Sequence, residues 1–92
     1  MAGSAPYIEK TATYTIALID YTINCTANTF TVTLPTALSA INSSFNIKNT
    51  GTGVITVACD GVETIDGETT QELVQWNNMQ IQSNGVDGWI IL

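Results

Sequence analysis

From Thr29 to Leu34 the chain reads Thr-Phe-Thr-Val-Thr-Leu, which puts Phe30, Val32 and Leu34 on one side of an extended strand and the threonines on the other. The same two-residue alternation runs through most of the chain and predicts a β protein with one buried face per strand. Strands are expected over 11–20, 21–26, 29–34, 45–49, 54–59, 69–74, 79–83 and 89–92, rich in the β-branched and aromatic residues that suit a pleated surface. Pro35 ends the third of them because it has no N–H to give a ladder. Thr50-Gly51-Thr52-Gly53 predicts a hairpin between 45–49 and 54–59. Asp60-Gly61 and Asp66-Gly67 predict turns around a short Val62-Glu63-Thr64-Ile65 segment, and Asn84-Gly85-Val86-Asp87-Gly88 predicts a last hairpin.

Two stretches depart from this pattern. Residues 1–12 contain Pro6 and a Glu9-Lys10 pair without sustained periodicity, and are expected to form an extended N-terminal arm before a β domain over 13–92. Residues 36–44 space Ala37, Leu38, Ala40 and Ile41 roughly as a helix would, but the segment is too short to hold a helix alone. It is expected to be a loop that tucks Leu38 and Ile41 over one end of the sheets. About eight or nine short strands with Gly, Asn and Asp turns predict an antiparallel β-sandwich or jelly-roll-like domain.

The alternation also fails at Trp89-Ile90-Ile91-Leu92, apolar on both faces, and nearly fails at Ala17-Leu18-Ile19. A free-standing antiparallel sheet keeps one face polar. A second copy of the chain would cover such a face and shield sheet edges at once, so Leu18, Ile19, Ile90 and Leu92 are candidate subunit-interface residues. Burial between two sheets is the competing explanation.

Composition narrows the chemistry. The chain has 92 residues, of which 45% are hydrophobic and only 11% charged, so much of its surface must be uncharged Thr, Asn, Ser and Gln. Histidine and arginine are absent and only Lys10 and Lys48 are basic, which removes the usual proton shuttles and anion clamps. A net charge of −6 repels phosphate backbones and gives anionic lipid nothing to hold, so neither nucleic acid nor membrane is an expected partner. The opening Met-Ala-Gly-Ser-Ala-Pro-Tyr is neither basic nor apolar and does not read as a secretory signal, which predicts synthesis in a cytoplasm; Met1–Ser4 reads equally as native sequence or as an appended cloning scar. On that basis the sequons at Asn24 and Asn42 are taken as chance. Cys25 and Cys59 both fall on inward-facing positions and read as buried thiols, with a bridge between them left open.

Asp60, Glu63, Asp66, Glu68 and Glu72 are the only grouped carboxylates. Glycine after Asp60 and Asp66 explains those two as turn residues, and the run lacks the alternating ligands of a calcium loop. No catalytic residue, metal site or cofactor is expected. Trp76 followed by Asn77 and Asn78 is a possible ligand site, since an indole beside amide donors suits sugar stacking, although a tryptophan is more often packing material.

Thr31-Val32-Thr33-Leu34-Pro35, Phe45-Asn46-Ile47-Lys48-Asn49, Gly53-Val54-Ile55-Thr56-Val57, Glu63-Thr64-Ile65-Asp66-Gly67 and Met79-Gln80-Ile81-Gln82-Ser83-Asn84-Gly85, followed by Gly88-Trp89-Ile90-Ile91, resemble in that order a β module of tailed bacteriophages. The module occurs in head decoration (cement) proteins and head fibres and as the end domain of tail fibres and tailspikes. The resemblance covers about residues 13–92 and implies a homotrimeric virion component without a cofactor. Leu34, Phe45, Ile47, Ile65 and Trp89 then serve packing, and Gly53, Gly67 and Gly85 backbone freedom. The short chain favours a decoration protein on the capsid surface, with Pro6, Tyr7 and Ile8 of the arm contacting the major capsid protein. The alternative is a receptor- or carbohydrate-binding module of a fibre, with a host surface glycan as partner.

Overall fold

The computed structural model describes residues 5–27 and 29–92. Met1–Ser4, the first third of the expected arm, lie outside the described residues. The described chain is all-β, without a helix, and builds ten short strands: β1 Tyr7–Lys10, β2 Tyr14–Thr15, β3 Thr22–Cys25, β4 Thr31–Thr33, β5 Ser44–Asn49, β6 Ile55–Ala58, β7 Thr64–Ile65, β8 Thr70–Leu73, β9 Asn78–Ser83 and β10 Gly88–Ile91. They form a six-stranded sheet in the order β1-β3-β5-β9-β10-β7 and a four-stranded sheet in the order β2-β4-β6-β8.

The chain winds instead of folding back on itself. From β1 to β6 each strand belongs to the sheet opposite its predecessor, so that β1, β3 and β5 stack in parallel in one sheet and β2, β4 and β6 in the other. The stacking is in register: Ile8, Ile23 and Ile47 lie side by side, as do Lys10, Cys25 and Asn49. Only β9 and β10, and β8 beside β6, bring antiparallel pairing. The two sheets are therefore mixed, which corrects the antiparallel expectation. It also corrects the hairpin expected at Thr50–Gly53, because β5 and β6 lie in different sheets. Alternating strands look the same whether the next connection is a hairpin or a crossing, and here the crossing wins because each strand contributes one apolar face to a shared interior.

That interior is made by the residues the alternation selects. Val32, Leu34, Phe45, Ile47, Ile55, Val57, Ile65, Met79, Ile81 and Trp89 are buried, with Phe45 and Trp89 ring centroids 5.7 Å apart. The Asn84–Gly88 hairpin forms as expected: Asn84 Oδ1 accepts the N–H groups of Val86, Asp87 and Gly88, and Gly85 supplies a φ of +79°. Gly61 and Gly67 likewise adopt positive φ at the two Asp-Gly turns.

Three local expectations change. Residues 11–20, expected as one strand, contain only β2 and then a turn, because Asp20 turns back to accept the Ala17 N–H and the Tyr14 hydroxyl. In the 36–44 loop the small Ala37 and Ala40 are buried while Leu38 and Ile41 are exposed, the reverse of the expected packing. Tyr7–Lys10, expected in a free arm, form β1 at the edge of the larger sheet, with Ile8 packed against the core.

Strand direction sorts the loops into two ends. The connections 16–21, 34–43 and 59–63 all run from the four-stranded sheet to the start of β3, β5 or β7, and the β9–β10 hairpin closes at the same level. We call this the crossing end. The connections 11–13, 50–54 and 74–77, with residues 26–27 and 29–30, lie at the opposite, tail end.

Candidate functional site

The described residues enclose no pocket. Candidate sites are therefore surfaces, and the sequence-selected residues fall on three of them.

Trp76 sits at the tail end in the turn between β8 and β9 and is 63% exposed. Its backbone φ is +72°, a left-handed conformation rare for a bulky side chain and costing on the order of 1–2 kcal/mol. The turn is over-determined from both sides. Trp76 N–H donates to Asn49 O at 2.6 Å, Lys48 Nζ donates to Trp76 O at 2.5 Å, and Asn49 N–H donates to Asn77 O at 3.0 Å. Asn77 N–H closes onto Val74 O, and Asn78 begins β9 opposite Lys48. Trp76, Asn77 and Asn78 thus share one projecting turn, and the indole is presented to solvent, not packed into the core. Local strain held by surrounding bonds is a feature that functional sites often show.

The residue that organises this end is Asn49, which sequence reading treated as an ordinary strand end. It is fully buried. Its Nδ2 donates to Gly53 O at 2.7 Å and Leu73 O at 2.8 Å, and its Oδ1 accepts from Gly51 N–H at 3.0 Å. One amide therefore pins the 50–54 connection to the end of β8. The signal available in the sequence was its inward register in an otherwise alternating strand, where an amide must find buried partners.

Leu18 and Ile19 are exposed in the 16–21 connection, and Ile90 and Leu92 are exposed on the outer side of β10. The structure does not join the two pairs: the first lies in the connection leading into β3, the second at β10, two strands along the sheet from β5. At β10 Gly88 and Trp89 are buried and the rest of the strand is exposed. Ile90 is 46% and Leu92 62% exposed, so the apolar ribbon at 89–92 is left uncovered by its own chain.

Pro6 and Tyr7 are exposed, but neither is free of the sheet. Pro6 O accepts from Thr22 N–H, and Tyr7 Oη donates to Glu9 and accepts from Asn24. Lys10 Nζ lies 4.2 Å from the centre of the Tyr14 ring, and Tyr14 Oη donates to Asp20 at 2.5 Å. The hydrogen bond to the Asp20 carboxylate, aided by burial and by the carboxylate charge, raises the Tyr14 phenol to about 12.

The acidic stretch is dispersed. Glu63 accepts the Ala37 N–H at 2.9 Å and Asp66 accepts the Ile91 N–H at 3.1 Å, so these two carboxylates fasten loops. Among the described residues no three His, Cys, Asp or Glu side chains approach closely enough to hold a metal ion. Cys25 is buried beside Asn49 and Cys59 is half-buried after β6, near opposite ends of the strands, and both are free thiols. Burial pushes each to about 11, helped at Cys59 by the Glu63 carboxylate.

The chain matches no family model, no curated protein and no solved structure.

Proposed function

We propose that this chain is a structural component of a tailed-bacteriophage virion, a capsid decoration (cement) protein that forms homotrimers on the head surface and braces the major capsid protein. It is made in the host cytoplasm and carries out no reaction of its own. The observation that carries the reading is the uncovered side of β10. Ile90 and Leu92 stand exposed on the last strand of a domain whose other sheet positions alternate cleanly. Covering them with like subunits removes apolar surface from water, and about 800 Å² per chain would place the contact in the stable class. The ordered set of motifs resembling the phage module supports the same conclusion.

The capsid contact is assigned to the open edge of β1, where Pro6 and Tyr7 are exposed and, among the described residues, one side of the strand has no neighbouring strand. Ile8, half-buried, packs against the core and anchors that edge. A strand edge recognises its partner through main-chain hydrogen bonds, which suits attachment to a repeating shell.

Light scattering on the eluting protein is expected to give the mass of three chains, and Ile90→Glu with Leu92→Glu a single one. A folded monomer at concentrations of about 10 μM would refute the trimer. Undecorated phage heads mixed with the trimer are expected to retain it on sedimentation, and a trimer that stays in the supernatant would refute the decoration role. The exposed indole of Trp76 beside Asn77 and Asn78 favours one second reading, a carbohydrate-binding fibre module. Glycan binding that disappears in Trp76→Ala would establish it.

A further inference from the structure

The crossing end carries far more exposed aliphatic surface than its loops need. Each connection at this end that runs from the smaller sheet to the larger displays at least one large apolar side chain: Leu18 and Ile19, then Leu38 and Ile41, then Val62, with Val86 on the adjoining hairpin. Ile19 is 83% and Val62 93% exposed. Isolated exposed aliphatics are ordinary, but six on one end of a small domain form a patch. Ile41 and the β9–β10 hairpin are in direct contact, since a Cβ at Gly85 would lie 2.9 Å from Ile41 Cγ1. The same loops carry Asp60, Glu63 and Asp87 and no basic residue, while Asp20 turns in to accept the Tyr14 hydroxyl.

The tail end is complementary. Its connections hold no carboxylate, and they expose Val54, Val74 and Trp76. Lys48 reaches into this end to bond Trp76 O, and Lys10 leaves β1 at the same level with its ammonium over Tyr14. One end is thus apolar and acidic, the other apolar with Lys48 at it, the Lys10 ammonium being turned onto the ring of the tyrosine that bonds Asp20.

We infer that the crossing end of one copy docks on the tail end of another, so that the protein stacks head to tail. Pairing two crossing ends is disfavoured, because it sets Asp60, Glu63 and Asp87 against the same three carboxylates, and like charges oppose close association. The end-to-tail arrangement places those carboxylates by Lys48 and the aliphatic patch over Trp76. The contact is heterologous and joins opposite ends of the molecule, so each added copy leaves one open end of each kind and short stacks grow. In a chain whose extents are 36 × 33 × 20 Å, one end is expected to bury less than the usual ~800 Å² per copy. The association is accordingly weak and concentration-dependent. It is separate from the lateral trimer and repeats whatever unit exists in dilute solution, one chain or three.

The test uses two blocked variants of the full chain. Ile19→Asp with Val62→Asp blocks the crossing end at two exposed positions, and Trp76→Glu blocks the tail end; matching far-ultraviolet spectra and melting curves establish that each is folded. In sedimentation velocity the natural sequence is expected to grow beyond its basal unit between about 10 μM and about 1 mM. Each blocked variant alone stays basal, with association weakened at least about tenfold. An equimolar mixture of the two forms pairs of basal units and stops there, because each pair has one open end of each kind used. Natural protein that never grows would overturn the inference. So would Trp76→Glu pairing with itself, which is crossing end on crossing end, or a mixture that fails to pair. Should the double variant unfold, Val62→Asp alone takes its place.

Discussion

Asn49 and Asn46 stand on the same strand, β5, three residues apart and on opposite faces, and they make a controlled comparison of what a buried amide contributes. Asn46 points outward and is half-exposed, whereas Asn49 is fully buried with three side-chain hydrogen bonds. In Asn49→Ala the carbonyls of Gly53 and Leu73 lose their amide donor. The Gly51 N–H keeps a fallback, since it also lies 3.2 Å from Cys25 O. A lost hydrogen bond removes about 1 kcal/mol, and a buried acceptor left without that donor adds on the order of 1 kcal/mol more, so the expected loss is about 2–4 kcal/mol. A domain of this size holds roughly 5–14 kcal/mol in total, making that a large fraction. Asn49→Asp should be worse than Ala, because it turns a donor into a charged acceptor facing two carbonyls. Urea unfolding followed by Trp fluorescence reads the result: the midpoint falls for Ala, falls further for Asp, and the slope is unchanged. Asn46→Ala should stay within about 0.5 kcal/mol of the natural sequence. If Asn49→Ala lost less than about 1 kcal/mol, or no more than Asn46→Ala, the pinning role would be refuted.

Other consequences can be checked in the same protein. Gly51 packs its Cα against the 26–30 connection so closely that an added Cβ would lie 2.5 Å from Ala27 O, and Gly51→Ala is expected to destabilise by about 1–3 kcal/mol in urea melts. Trp76→Asn places a residue tolerant of left-handed backbone at φ +72° and should raise stability by about 1 kcal/mol; a loss would mean the indole contributes packing that its exposure hides. Burial raises the Cys25 and Cys59 thiols from 9.0 to about 11, so the fold holds protons the unfolded chain releases. That stabilisation is complete below pH 9 and is lost as pH rises through about 11. Melting temperature should therefore decline over this window, less steeply in Cys25→Ala, and equal slopes would contradict the assignment.

The alternation read from the residues alone located most strands and named part of the interior, from Val32 and Leu34 through Phe45 and Ile47 to Ile65 and Trp89. The reason is local: a period of two assigns each side chain a face before any partner is known. Turn chemistry was equally legible at Asp60-Gly61, Asp66-Gly67 and Asn84-Gly85, where φ is set by a residue and its immediate neighbours. The exposed apolar side of β10 was readable for the same reason, since Ile90 and Leu92 occupy the face opposite Trp89.

What tertiary structure alone decided was which strand lies beside which. Thr50–Gly53 suits a hairpin and a crossing equally, and only the pairing of β5 with β3 and β9, and of β6 with β4 and β8, separates them. The arm became β1 because Ile8 found Ile23 fifteen positions ahead, and Asn49 became a linchpin because Leu73 came within 2.8 Å across twenty-four positions. In the 36–44 loop the space near Ser83, whose Oγ donates to Ala37 O, admits alanine and leaves Leu38 and Ile41 outside. Periodicity carries the direction of a side chain but not the distance to its eventual neighbour. Distances between segments are set by the whole set of apolar faces closing on one another at once.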